Sequence, residues 1–143
     1  KRGLAYSIYS YRPAYFDVGQ LVVYAGTGKG SLKEVIRLII EQFDTLRKER
    51  IRAEELKRTQ DQLKGNLLLS LESSDSWMTR LAQNEIYFGE YIPIEQVIQG
   101  IEGVTSEEVN KLAQDLFREE LLCLTVLGPV EKKELPRELL SVQ

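Results

Sequence analysis

Val18-Gly19-Gln20-Leu21-Val22-Val23-Tyr24-Ala25, then Gly26-Thr27-Gly28-Lys29-Gly30-Ser31, then Leu32, Val35, Ile36, Ile39, Ile40, Phe43 and Leu46 at helical spacing: this passage decides the fold class. The β-branched and aromatic run over 18–25 predicts a strand. The glycines end it, and Ser31 is a candidate N-cap. The apolar stripe that follows, opposite Lys33, Arg37, Glu41 and Asp44, predicts a helix to about Lys48.

Upstream, Leu4-Ala5-Tyr6-Ser7-Ile8-Tyr9-Ser10-Tyr11 reads as a first strand, stopped at Arg12-Pro13 because proline cannot donate to a ladder. The two strands are near enough in sequence to pair antiparallel across a loop. Downstream, a second helix is expected from Ala53 to Leu71, with Glu54 and Glu55 in the first turn, where the helix dipole favours them. Leu56, Leu63, Leu67 and Leu71 line its apolar side, and Gly65 in mid-helix implies close packing. A third helix carries Trp77, Leu81, Ile86 and Phe88 and stops at Gly89. Ile94, Val97, Ile98 and Ile101 make a fourth. Thr105 and Glu108 form a capping box for a fifth, whose face is Val109, Leu112, Ala113 and Leu116. Leu121-Leu122-Cys123-Leu124-Thr125-Val126-Leu127 reads as a buried strand ended by Gly128-Pro129, with Cys123 as inert core. The expected architecture is α+β: an antiparallel sheet of two early strands and one late strand, with helices packed on one face. The domain is expected over 1–130, with a charged tail over 131–143. Three strands are few for five helices, so further strands are expected ahead of Lys1.

The 143 residues include 43% hydrophobic and 29% charged residues, with a net charge of −3, an ordinary globular balance that does not favour nucleic acid or a membrane surface as partner. No apolar run approaches the ~20 residues of a membrane span. Cys123 is the single cysteine, which excludes an intrachain disulfide framework and favours a reducing, cytoplasmic setting. There is no histidine. A catalytic zinc site within the chain and any Ser-His-Asp or Cys-His arrangement are therefore not expected. The Gly26 to Ser31 loop has the strand-to-helix context of a phosphate loop, but its spacing is not that of the Walker or dinucleotide patterns. A turn is the plainer reading, since glycines serve positive φ there. Tyr6, Tyr9, Tyr11, Tyr15 and Phe16 cluster, but Lys1, Arg2 and Arg12 are too few cations for base stacking on nucleic acid, so cross-strand packing is expected.

Lys1-Arg2-Gly3-Leu4-Ala5-Tyr6-Ser7 resembles a motif of the pitrilysin/insulinase-type zinc metallopeptidases, in the branch similar to mitochondrial processing peptidase. Asp17-Val18-Gly19, Tyr24-Ala25-Gly26, the stretch Gln62 to Ser73, Val104 to Val109 and Val126 to Pro129 are also similar. The resemblance implies the C-terminal, non-catalytic half of a clamshell, in which the other half carries an inverted His-x-x-Glu-His zinc motif. It implies a part of a zinc-dependent endopeptidase that closes the peptide-binding chamber and positions substrate, inactive by itself, with zinc bound by an N-terminal half or partner subunit. Tyr6 matches a tyrosine that the family offers to bound peptide; the companion arginine falls ahead of Lys1. The alternative is a structural or peptide-binding homologue without catalysis. Separated from its other half, the chain is expected to form a homodimer.

Overall fold

The computed structural model describes residues 3–13, 15 and 17–141; Lys1, Arg2 and Phe16 of the readings above, and the last two residues of the tail, lie outside them. Among the described residues there are two strands, β1 (Ala5–Tyr11) and β2 (Val22–Thr27), and five α-helices: α1 (Leu32–Lys48), α2 (Ala53–Ser70), α3 (Ser74–Phe88), α4 (Ile94–Gly103) and α5 (Ser106–Leu116). The protein is thus α+β, with a two-stranded antiparallel sheet. The chain divides into two compact units, one of residues 1–49 and 111–143, the other of 50–110, so that the boundary falls within α5.

In the first unit the core is the stripe of α1. Val35, Ile36 and Ile40 are buried, and so are Ala113 and Phe117. Phe43 lies flat on Phe117, ring centroids 4.1 Å apart and planes within 5°. On the outer face Arg37 binds Glu34 through Nε (3.0 Å) and Nη2 (2.7 Å), and it also pairs with Glu41. Ser31 precedes α1 but makes no side-chain capping bond; a 3-10 turn over Lys29–Ser31 leads into the helix instead. Beyond α5 the chain forms 3-10 turns at Glu119–Leu121, Lys132–Glu134 and Arg137–Leu140, and the last of these packs on α1.

The second unit holds α2, α3, α4 and the start of α5. Its α2 and α4 are joined by polar contacts. The Gln60 amide donates to the carbonyls of Ile101 (3.0 Å), Glu102 (3.2 Å) and Val104 (3.0 Å). These are the acceptors that the end of a helix leaves without an intrahelical partner. Lys64 reaches the Glu102 carboxylate at 2.7 Å and Asp61 at 3.1 Å. Gly89 closes α3 with φ 69°, the left-handed conformation that suits glycine. The capping box forms: Glu108 accepts from the Thr105 N–H and hydroxyl (both 2.8 Å) and returns its own N–H to the Thr105 hydroxyl at 3.2 Å.

Four expectations are corrected. Residues 122–127 form no ladder, and Leu127 is fully exposed; apolar content makes a strand only where a sheet edge receives it, and neither β1 nor β2 does so here. Cys123 is accordingly exposed rather than core. A Cβ on Gly65 would meet nothing within 4 Å, so no close approach explains that glycine. Ile86 and Phe88, expected on the apolar side of α3, are exposed, together with Met78 and Leu81. Among the described residues no helix is long and apolar enough to cross a membrane.

Candidate functional site

The strand pair carries the candidate site because it gathers aromatic side chains on a sheet that, among the described residues, has two strands only. In regular antiparallel register Ile8 faces Ala25, Tyr9 faces Tyr24, Ser10 faces Val23 and Tyr11 faces Val22. The Tyr9 and Tyr24 rings stack at 4.9 Å between centroids, and Tyr11 leans on Tyr9 at 5.9 Å. Tyr9–Tyr24 is the cross-strand pair, and such a pair adds roughly 0.2–1 kcal/mol. The expected packing role is what the structure shows for these three rings.

Tyr6 is different. Ala5 faces Thr27 and Ser7 faces Gly26, so two steps along β1 match one step along β2. Tyr6 is the extra residue of a β-bulge. A bulge leaves its residue out of the ladder and re-aims the side chain. The Tyr6 side chain is 80% exposed, the most exposed of the tyrosines on the sheet. Two local features support the bulge. Gly3 takes φ 60° just ahead of the strand, a conformation that favours glycine. Beside it, the Thr27 hydroxyl donates to the Leu4 carbonyl at 2.5 Å.

The loop after β2 does not use its glycines as expected. Gly26, Gly28 and Gly30 all lie outside the left-handed region. Gly26 belongs to β2 itself, and Gly28 is extended (φ −74°, ψ 150°). Lys29, the cation of the phosphate-loop reading, pairs with Glu134 at 3.2 Å. That carboxyl is held below the usual range first by the Glu131 N–H and then by Lys29. A cleft of about 260 Å³ opens beside Lys29, Lys33 and Glu134. With a carboxylate already seated against its lysine, the loop has no unopposed charge to offer a phosphate.

The chain offers no histidine, and among the described residues no three His, Cys, Asp or Glu side chains converge. This donor set does not fit a catalytic zinc ion. The shifted carboxyls elsewhere are exposed and structural: Asp61 is lowered first by Lys57, Glu102 by Lys64, and Glu108 by the Thr105 N–H. No local pattern marks Gln60, whose partners lie more than forty residues away.

Comparison with known proteins places these features. Residues 1–63 match the sequence model of the peptidase M16 inactive domain. The chain is 40% identical over 128 residues to an uncharacterized zinc protease of Bacillus subtilis, YmxG, covering 90% of this chain and 31% of that protein. It is 40% identical over 139 residues to an uncharacterized zinc protease of Mycobacterium leprae, covering 96% and 31% respectively. The chain thus spans about a third of the length of these relatives. A chain in the structure of complex III2 from Candida albicans shares the fold with TM-score 0.74 at 18% identity, over 82% of this chain and 28% of that one. The family-model match and these relatives show that the chain belongs to the pitrilysin/insulinase-type (M16) peptidase family and is part of its C-terminal, inactive half.

Proposed function

We propose that this domain closes the peptide-binding chamber of a processing-type zinc endopeptidase and offers the Tyr6 hydroxyl to the bound peptide. The observation that carries the reading is Tyr6 itself: a tyrosine at a bulge, its ring in solvent, in a chain whose relatives are named zinc proteases. A phenol held there can donate a hydrogen bond to a peptide carbonyl oxygen. That bond strengthens as negative charge gathers on the oxygen, so it favours the transition state over the bound substrate. Zinc, for which this chain has no fitting donors, is held by an N-terminal half of the same polypeptide or by a partner subunit, in a reducing compartment such as the cytoplasm. The exposed apolar residues of α2 and α3, Leu63, Leu68, Leu69, Met78, Ile86 and Phe88 among them, support a missing companion surface. Without that companion the chain pairs with itself into a homodimer. Replacing Tyr6 by Phe in the intact protein tests the reading: kcat falls while the fold is retained.

The inactive-domain match favours one second reading, a homologue that binds peptide or supports an assembly without cleaving it. A His-x-x-Glu-His sequence in the rest of the polypeptide or in a partner subunit separates the two, since the second reading requires none.

A further inference from the structure

We infer that Gly26 and Thr27 are positioning residues for Tyr6: the bare backbone of Gly26 is the seat of the phenol ring, and the Thr27 hydroxyl fixes the bulge that aims it. The inference rests on the proposed role of Tyr6 and adds the device that sets its reach.

A methyl group placed on Gly26 would lie 3.3 Å from Tyr6 Cδ2, 3.7 Å from Cε2 and 3.6 Å from the Tyr24 hydroxyl. Carbon atoms settle at about 3.5–4.0 Å, so the nearest contact is too close and something must move. The ring is what moves, because it is 80% exposed and solvent bounds its other side. Gly26 lies outside the left-handed region, so alanine suits its backbone and the glycine serves space rather than φ. Gly28 gives a built-in contrast. A methyl there would lie 3.9 Å from the Tyr6 hydroxyl, an ordinary contact that displaces nothing. Thr27, between them, ties β2 to Leu4, two residues before Tyr6. Without that bond the one-residue offset between Ala5–Thr27 and Ser7–Gly26 is free to relax. A shift of register by one residue turns a side chain to the other face.

The test uses the intact zinc protease with a peptide substrate and two readouts: steady-state kinetics, and the ring resonance of ¹³C-labelled Tyr6, assigned by its loss in Tyr6→Phe. Displacement of a positioned group by ~1 Å can cost ~100-fold, so a few tenths of an ångström in Gly26→Ala is expected to lower kcat about 3–10-fold with KM and melting temperature little changed. Gly28→Ala keeps the wild-type rate and resonance. Tyr6→Phe/Gly26→Ala is no slower than Tyr6→Phe alone, because Gly26 acts only through the hydroxyl. Thr27→Ser keeps the rate that Thr27→Val loses. A Tyr6 resonance unmoved by Gly26→Ala overturns the seat, and so does a rate loss that adds to that of Tyr6→Phe. Wild-type kcat in Tyr6→Phe overturns the role of Tyr6 instead, and the resonance still decides the seat. If Gly26→Ala does not fold, Thr27→Val with wild-type rate and resonance overturns the inference.

Discussion

Phe43 and Phe117 lie in parallel contact, 4.1 Å between ring centroids, and so tie the middle of α1 to the residue just past α5. Phe117 is only 7% exposed. Its ring joins two segments remote in sequence within one unit. Phe117→Ala is expected to cost about 3–5 kcal/mol, the usual loss for a buried aromatic. Phe117→Leu, which keeps most of the volume, should cost clearly less. Denaturant unfolding of the two variants checks the order; equal, small losses would show that the ring is not part of the core.

Gln60 holds the end of α4 through three carbonyls, and its replacement separates hydrogen bonding from charge. Gln60→Leu loses the donor and is expected to cost about 1 kcal/mol. Gln60→Glu should cost more, because a carboxylate faces carbonyl oxygens at the negative end of a helix dipole. Amide exchange over 98–104 should quicken in both, more in the second. Exchange at the wild-type rate would contradict the contact.

The capping box makes the start of α5 sensitive to acid. The Thr105 N–H, and then its hydroxyl, hold the Glu108 carboxyl below the usual range. Its folded pKa is depressed, so its contribution is complete above the unfolded value of about 4.3 and is lost as pH falls from there through the lower folded value. Glu108→Gln should therefore flatten the fall of melting temperature with acid below that point. Parallel curves for the two proteins would remove Glu108 from the account.

The sheet shows which parts of the structure could be read from the sequence. The stripe of α1, the glycine stop at Gly89, the α4 apolar face and the Thr105–Glu108 box depend on neighbours a few residues apart, and each forms where its spacing predicts. Residues 121–127 had the composition of a strand, but a strand is a relation to an edge elsewhere in the chain, and composition does not supply one. Cys123 is exposed rather than core for the same reason. The bulge at Tyr6 is a matter of register between β1 and β2, and nothing in Leu4 to Tyr11 alone announces it. Tyr6 was singled out by resemblance, while its setting against Gly26 came only from the paired backbone.

A sheet of two strands among the described residues and helices with exposed apolar faces favour self-association of the isolated chain. A two-fold dimer is the expected product, as the commonest closed symmetry. Sedimentation equilibrium of the 143-residue chain should give twice the chain mass; a strict monomer at high concentration would contradict it.

The most direct measurement is the kcat of a Tyr6→Phe variant of the intact, zinc-loaded protein. The substitution removes one hydroxyl and keeps the ring on its seat, so melting temperature should stay within about 1 °C of wild type while kcat falls roughly 10²–10³-fold, the usual loss for one oxyanion donor. KM should change little, because the bond is made mainly in the transition state. Wild-type kcat and kcat/KM in a folded Tyr6→Phe protein would contradict the account and leave Tyr6 as an exposed strand residue.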